Sequence, residues 1–212
     1  MKIIKIDPKN PDLAIKEAIT VLKAGRLVAY PTESFYAIGA DAMNELAVRR
    51  VFKAKVRELG KPLPIIIHDR SEVPKYTGYM GPGAENAVLQ LMPGPVTLVF
   101  YASEDLPAEL IAGTRKVGIR VPRSRYALYL AEALGGPITA TSANLSGEDG
   151  LTDPEEVARA FAGSVDVVLD GGVTPGPPAS TLLDVTVEPP FLIRVGGLSR
   201  AEVEKAVGKV MP

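Results

Sequence analysis

Apolar positions along this chain recur at two spacings, every second residue in some stretches and every third or fourth in others, so strands and helices are expected to interleave. MKIIKIDPKN reads as a short alternating strand. Asn10 is expected to cap a helix with Pro11 at its first position, and Ile15, Ala18, Ile19 and Leu22 mark one face until Gly25. Leu27 to Tyr30 is an apolar run suited to a buried strand, which Pro31 stops because it has no N–H for a sheet ladder. A polar turn ending at Gly39 is expected next. Asn44 starts a second helix in which Val48, Val51 and Phe52 share a face. Lys55 prolongs that face and so points inward. An unpaired ammonium is costly there, so a buried anion or a site is expected beside it.

Leu63 to Ile67 is fit for an interior strand, and Glu85 to Met92 reads as a short helix before Pro93, Gly94 and Pro95. Strands are expected over Val96 to Tyr101 and Lys116 to Val121. Ser124 caps a helix that Gly135 ends, and Ile138 to Thr141 forms a strand leading into the polar stretch from Ser142 to Gly147. Asp153, Pro154 and Glu156 open a helix to Ala162. Val165 to Leu169, Thr181 to Val185 and Phe191 to Val195 read as strands, and Ser199 with Glu202 makes a capping box for a last helix. With no shift of composition to mark a linker, the pattern predicts a single α/β domain, a mixed parallel/antiparallel sheet with flanking helices. Successive C-terminal strands without helices between them account for the antiparallel part.

Composition narrows the chemistry. The chain has 212 residues, 46% hydrophobic and 23% charged, enough for a sizeable core. It has no cysteine, which excludes disulfides, thiolate catalysis and cysteine-ligated zinc. The N-terminus lacks an apolar export segment and no run reaches the roughly 18 apolar residues of a membrane span, so a cytoplasmic protein with no membrane contact is expected. Net charge is −1, so nucleic acid must be met by a local patch. Such a patch exists at Arg49, Arg50, Lys53, Lys55, Arg57 and Lys61; its plainer reading is a solvated helix face followed by a basic loop. Phosphate is the natural counter-ion, although neither GxxxxGKS/T nor GxGxxG occurs.

Thr32, Glu33 and Ser34 sit at the carboxyl end of a strand, where ligands of open α/β sheets bind; the plainer reading is a turn capped by Thr32 or Ser34. Arg120 and Arg194 lie within apolar runs, and an arginine so placed calls for an anionic partner, either a ligand or an internal Asp or Glu. Ser180 and Thr181 open a strand after a segment rich in Gly and Pro. His68 is the single histidine, and without a GxSxG elbow it reads as an ordinary strand-end residue. No HExxH or tight Asp/Glu set points to a metal held by side chains.

The segments PTESFYAIG, KAKVRELGKPL, PGPVTLVF, VGIRVP, TSANLSG, LDGG, ASTLLDV and LIRVGG occur in an order that resembles the YrdC-type threonylcarbamoyl-AMP synthases. The resemblance spans about residues 10–207, the length of the single-domain members, and implies their twisted mixed sheet with a large concave basic cavity. It implies an ATP-dependent reaction with Mg²⁺. L-Threonine captures bicarbonate or CO2, and the carbamate attacks ATP to give threonylcarbamoyl-adenylate and pyrophosphate. A downstream transferase then modifies adenosine in tRNA. By the same resemblance Thr32, Arg120 and Ser180 bind threonine, while Lys55, Arg57, Ser142, Asn144 and Arg194 bind ATP. No side chain is assigned as acid, base or nucleophile, and Mg²⁺ is carried by the ATP phosphates. Two other readings stand beside this one: a module binding tRNA or double-stranded RNA without catalysis, and a carbamoyl-adenylate enzyme.

The chain also departs from the family pattern. Ser34, Phe35, Ala37 and Ile38 stand in a segment that relatives usually write PTETVYGLG. Ile66 takes a position where several relatives have histidine, and Met92 replaces a tryptophan. EDGLT, from Glu148 to Thr152, stands where relatives often have KPSPT, so Gly150 replaces a serine.

Overall fold

The computed structural model describes residues 1–56 and 60–212. The chain opens with β1 (Lys2–Lys5), α1 (Asp12–Lys23), β2 (Val28–Pro31), β3 (Tyr36–Gly39) and α2 (Glu45–Ala54). It continues through β4 (Ile65–Ile66), α3 (Val73–Tyr76), α4 (Pro82–Leu91), β5 (Val96–Tyr101), α5 (Ala108–Ile111), β6 (Lys116–Arg120) and α6 (Arg125–Leu134). The last part holds β7 (Ile138–Thr139), β8 (Thr141–Ser142), α7 (Pro154–Ala160), β9 (Val167–Asp170), β10 (Thr181–Asp184), β11 (Phe191–Arg194) and α8 (Arg200–Val207).

The strands form two mixed sheets. One has the order β1-β9-β2-β3-β8, the other β11-β10-β5-β6-β4-β7. In the first, β1, β9 and β2 run parallel, β3 is antiparallel to both of its neighbours, and β8 forms the edge; in the second, two parallel pairs, β10 with β5 and β4 with β6, are joined by the antiparallel pairing of β5 with β6. Helices α1 and α6 cover one face of the five-stranded sheet, where Ile15, Leu22, Val28, Leu130 and Leu169 share a core. A larger core fills its other face and reaches the six-stranded sheet through Leu98, Phe100, Val117, Ile119 and Leu183. Among the described residues no helix is long and apolar enough to cross a membrane.

Four local expectations are corrected. Asn10 does not cap α1: Pro11 takes the cap position without a side-chain bond, and the Asn10 N–H closes a turn onto Asp7. Tyr36 to Gly39 is a strand, because Pro31 ends the outward run yet still pairs with Tyr36 across a hairpin. The strand expected over Leu63 to Ile67 is cut to Ile65–Ile66. The strand expected from Ile138 to Thr141 breaks at Ala140, so that β7 joins the six-stranded sheet and β8 the five-stranded one. The chain thus crosses between the sheets there, and a cavity opens beside the crossing.

Candidate functional site

Alternation along the strands builds the cavity floor. In β5 and β6, Leu98, Val117 and Ile119 face the core, so Thr97, Val99, Lys116, Gly118 and Arg120 face the other way and line a cavity of about 600 Å³. The opposite wall comes from the first sheet, with Thr32 just beyond β2, Ala37 on β3 and Ser142 on β8. Pro177, Ala179 and Ser180, from the Gly- and Pro-rich segment before β10, close a side. That segment is tied down by Gly176 N–H donating to Ser34 O (2.8 Å) and by the Tyr36 hydroxyl donating to Gly172 O (2.8 Å). Burial holds the Tyr36 hydroxyl, like that of Tyr30, well above the usual phenol range, so both stay protonated. The volume suits a small-molecule ligand.

Arg120 is the most constrained charge in the site. It is 8% exposed, and its Nη2 donates to Glu33 Oε1 at 2.5 Å. Glu33 Oε1 also accepts the Arg123 N–H (3.2 Å). The fork is half made: Arg120 Nε and Glu33 Oε2 are both buried and have no hydrogen-bond partner among the described residues. An orphaned buried polar atom costs on the order of 1–3 kcal/mol, so Arg120 Nε calls for an acceptor such as a ligand anion. The internal carboxylate considered for Arg120 from the sequence is therefore present, and it leaves the guanidinium unsatisfied.

The hydroxyls around Arg120 are already oriented. Thr32 Oγ1 donates to Phe35 O (2.6 Å) and accepts the Ser34 N–H (3.2 Å), which closes the hairpin turn while leaving Thr32 and Ser34 on the cavity wall. Ser180 Oγ lies 3.0 Å from Thr97 Oγ1, and Ser180 O accepts from Arg194 Nη2 at 2.8 Å. Gly196 lets this happen, because a Cβ there would stand 2.2 Å from Ala179 O. Lys116 donates to Asp184 Oδ2 (2.7 Å) on the same wall, and the exposed Glu148 and Asp149 also line it. Cations and carboxylates thus share the lining.

Lys55 turns inward as expected, being 1% exposed. Its ammonium donates to the carbonyl oxygens of Ser142 and Asn144, the latter at 2.6 Å, and to Asn144 Oδ1 at 3.2 Å. Asn144 in turn donates from Nδ2 to Leu145 O (2.7 Å) and Glu148 O (2.9 Å) and accepts from the Ser142 hydroxyl. These two side chains knot the loop after β8. Ser142 lines the cavity; Lys55 and Asn144 stand behind it.

Of the residues singled out from sequence, Thr32, Arg120, Ser180, Ser142 and Arg194 meet in one cavity, and Arg57 lies outside the described residues. Lys116 and Thr97 were missed, although strand alternation carried the signal: Lys116 shares a face with Gly118 and Arg120, and Thr97 shares one with Val99, opposite Leu98. Ile66 lines the cavity at the position where several relatives have histidine, while His68 turns its Nδ1 to Glu72 Oε1. The basic helix face is held structurally: Arg49 pairs with Glu109, and Arg50 donates to Gly25 O at 2.9 Å.

The family model for Sua5, YciO and YrdC proteins, described as telomere recombination, matches residues 20–196. Threonylcarbamoyl-AMP synthase of Pyrococcus abyssi is 38% identical over 98% of this chain, and that of Bacillus subtilis 36% identical over 94%. The chain spans 61% and 58% of those relatives. A crystal structure of P. abyssi Sua5 complexed with L-threonine superposes with a TM-score of 0.95 at 37% identity, covering all of this chain and 62% of that one. Escherichia coli YciO superposes with a TM-score of 0.86 at 28% identity, over 95% of this chain and 100% of its own. By the match of the family model over most of its length, the chain belongs to the Sua5/YciO/YrdC family.

Proposed function

We propose that the protein is a threonylcarbamoyl-AMP synthase, joining L-threonine, bicarbonate and ATP into threonylcarbamoyl-adenylate, with release of pyrophosphate and water. The observation that carries this reading is the buried Arg120, whose Nε has no partner among the described residues, on the wall of a cavity shared with Thr32 and Ser180. A carboxylate is the ligand group that completes a guanidinium fork, and two flanking hydroxyls suit an amino acid that carries its own hydroxyl and amine. The L-threonine complex of the P. abyssi relative supports the same assignment.

In the reaction the threonine amine attacks the carbon of CO2 or bicarbonate, and a carbamate oxygen then displaces pyrophosphate from the α-phosphorus of ATP. The side chains hold and orient the reactants, which is the main requirement of phosphoryl-type transfer. Arg120, Thr32 and Ser180 take the amino acid. Ser142 and Arg194 face the nucleotide, Lys55 and Asn144 fix the loop that presents Ser142, and Arg57 is assigned to the phosphates with them. Mg²⁺, held by the ATP phosphates, would supply charge neutralisation there. Glu148 and Asp149 on the wall are oxygen donors of the class it accepts. A separate transferase would then move the group to tRNA.

Mass-spectrometric detection of the adenylate, with each of threonine, bicarbonate, ATP and Mg²⁺ left out in turn, tests the reading. Product is expected when all are present. Pyrophosphate release that is indifferent to threonine would overturn the substrate assignment.

A further inference from the structure

Glu33 takes no part in the reaction just described, yet it occupies the group to which the ligand carboxylate is assigned. Its Oε1 holds Arg120 Nη2, its Oε2 is buried without a partner among the described residues, and the facing Nε is equally unmatched. On the other side of the turn lies a second cavity of about 230 Å³, lined by Glu33, Thr32, Ser124 and Arg125 among others. The Arg125 side chain is exposed, and its Nη2 donates to Pro8 O (3.2 Å) and the Tyr126 hydroxyl (2.6 Å), both neutral acceptors. A second guanidinium, with neutral partners at that nitrogen and set over the Tyr126 ring, therefore shares the lining of this cavity with Glu33.

We propose that Glu33 is a built-in competitor of the ligand carboxylate: it holds Arg120 and moves toward Arg125 when an amino acid binds. The proposal rests on the amino-acid end of the reading above. Two carboxylates cannot share one buried guanidinium without repulsion, so ligand binding displaces Glu33, and the apparent affinity is lowered by the fraction of molecules in which Glu33 still holds Arg120. Glu33 thereby sets how strongly the site favours a ligand that carries a carboxylate over one that does not. The second cavity supplies space for the displaced side chain, and Arg125 supplies its charge.

The test is calorimetric titration of L-threonine and of L-threoninol, which lacks the carboxylate, into the wild type, Glu33→Gln, Arg125→Gln and the double variant. Thermal melts accompany each. Glu33→Gln keeps the shape and an acceptor for the Arg123 N–H while removing the competing charge. It is expected to tighten L-threonine about three- to tenfold and to leave L-threoninol unchanged. Arg125→Gln is expected to weaken L-threonine a few-fold in the wild-type background and to have no effect in the Glu33→Gln background. Weaker L-threonine binding by a folded Glu33→Gln protein would mean that Glu33 merely positions Arg120, and would overturn the proposal. Equal changes for both ligands, or an Arg125→Gln effect that persists without Glu33, would overturn it as well. Adenylate formation by the wild type would still uphold the synthase reading in those cases. L-Threonine binding by neither wild type nor Glu33→Gln would overturn both.

Discussion

The ring of Phe35 occupies the space that a side chain on Gly150 would need. A Cβ built on Gly150 stands 2.6 Å from Phe35 Cγ and 2.7 Å from Cδ1, closer than carbon atoms approach. Two departures from the family pattern, one in the hairpin turn and one in the loop after β8, are therefore a single packing solution. Both residues line the cavity, so the pair shapes the wall as well as the contact between the two segments.

Gly150→Ser alone is expected to push Phe35 off its seat and destabilise the fold by about 1–3 kcal/mol, the usual size of overpacking. Phe35→Val alone leaves a gap. The double variant Phe35→Val with Gly150→Ser is expected to recover most of the loss, with a coupling of about 1 kcal/mol or more in urea unfolding. Additive losses would mean that the ring has free room to move aside.

Part of the site was legible in the sequence: Thr32, Ser142 and Ser180 stand where apolar and polar stretches meet, Arg120 and Arg194 stand out as charges within apolar runs, and all line the cavity. What holds them was not legible. Glu33 and Arg120 are 87 residues apart, and no local period links them. Lys55 was expected to have a buried anion or a site beside it; its ammonium reaches carbonyl oxygens of the loop that presents Ser142 to the cavity, and carbonyls, which every residue carries, leave no trace in composition. The crossing at Ala140 was hidden for a related reason. A strand pattern records which residues are buried, and Ile138 and Thr141 are buried on either side of the break, in different sheets.

The Lys116–Asp184 pair gives an acid-side prediction. Burial pushes the Asp184 carboxyl up, but the bond from Lys116 and two bonds from Thr186 outweigh it and hold the group below the usual carboxylate range. The folded value lies below the unfolded one, so the stability it contributes is fully present above an unfolded value of about 3.9 and is lost as pH falls through the folded value. Asp184→Asn should therefore be less stable than wild type at pH 7. The gap should narrow as pH falls below about 4. Urea unfolding at successive pH values checks this; a gap that stays constant to low pH would assign the loss to packing.

Lys55→Met should affect nucleotide and stability together. It preserves the buried stem but strips the donors from the carbonyls of Ser142 and Asn144, and each buried acceptor left unsatisfied costs about 1–3 kcal/mol. A fall in Tm of about 5 °C or more is expected. Because the loop presenting Ser142 is loosened while Arg120 is untouched, ATP affinity should drop and L-threonine affinity should hold. Calorimetry at a temperature well below the melt separates the two.

Arg120→Lys should do the reverse. The ammonium keeps the charge, yet it is a single point without the planar fork, so it cannot receive a ligand carboxylate edge-on through two parallel hydrogen bonds. Loss of one charge-assisted bond is worth on the order of 1.5–3 kcal/mol, or roughly ten- to a hundredfold in L-threonine affinity. ATP is assigned to Arg194, Ser142 and the loop fixed by Lys55, none of which Arg120 bonds, so its affinity should change by less than about threefold. The same variant also removes the buried orphan at Nε, so part of the ion-pair stability lost with Glu33 is offset and the fold should survive. Titrating each ligand separately into the folded variant decides the matter: equal losses for ATP and L-threonine would make Arg120 a structural partner of Glu33 alone, and the carboxylate would have to be received elsewhere on the cavity wall.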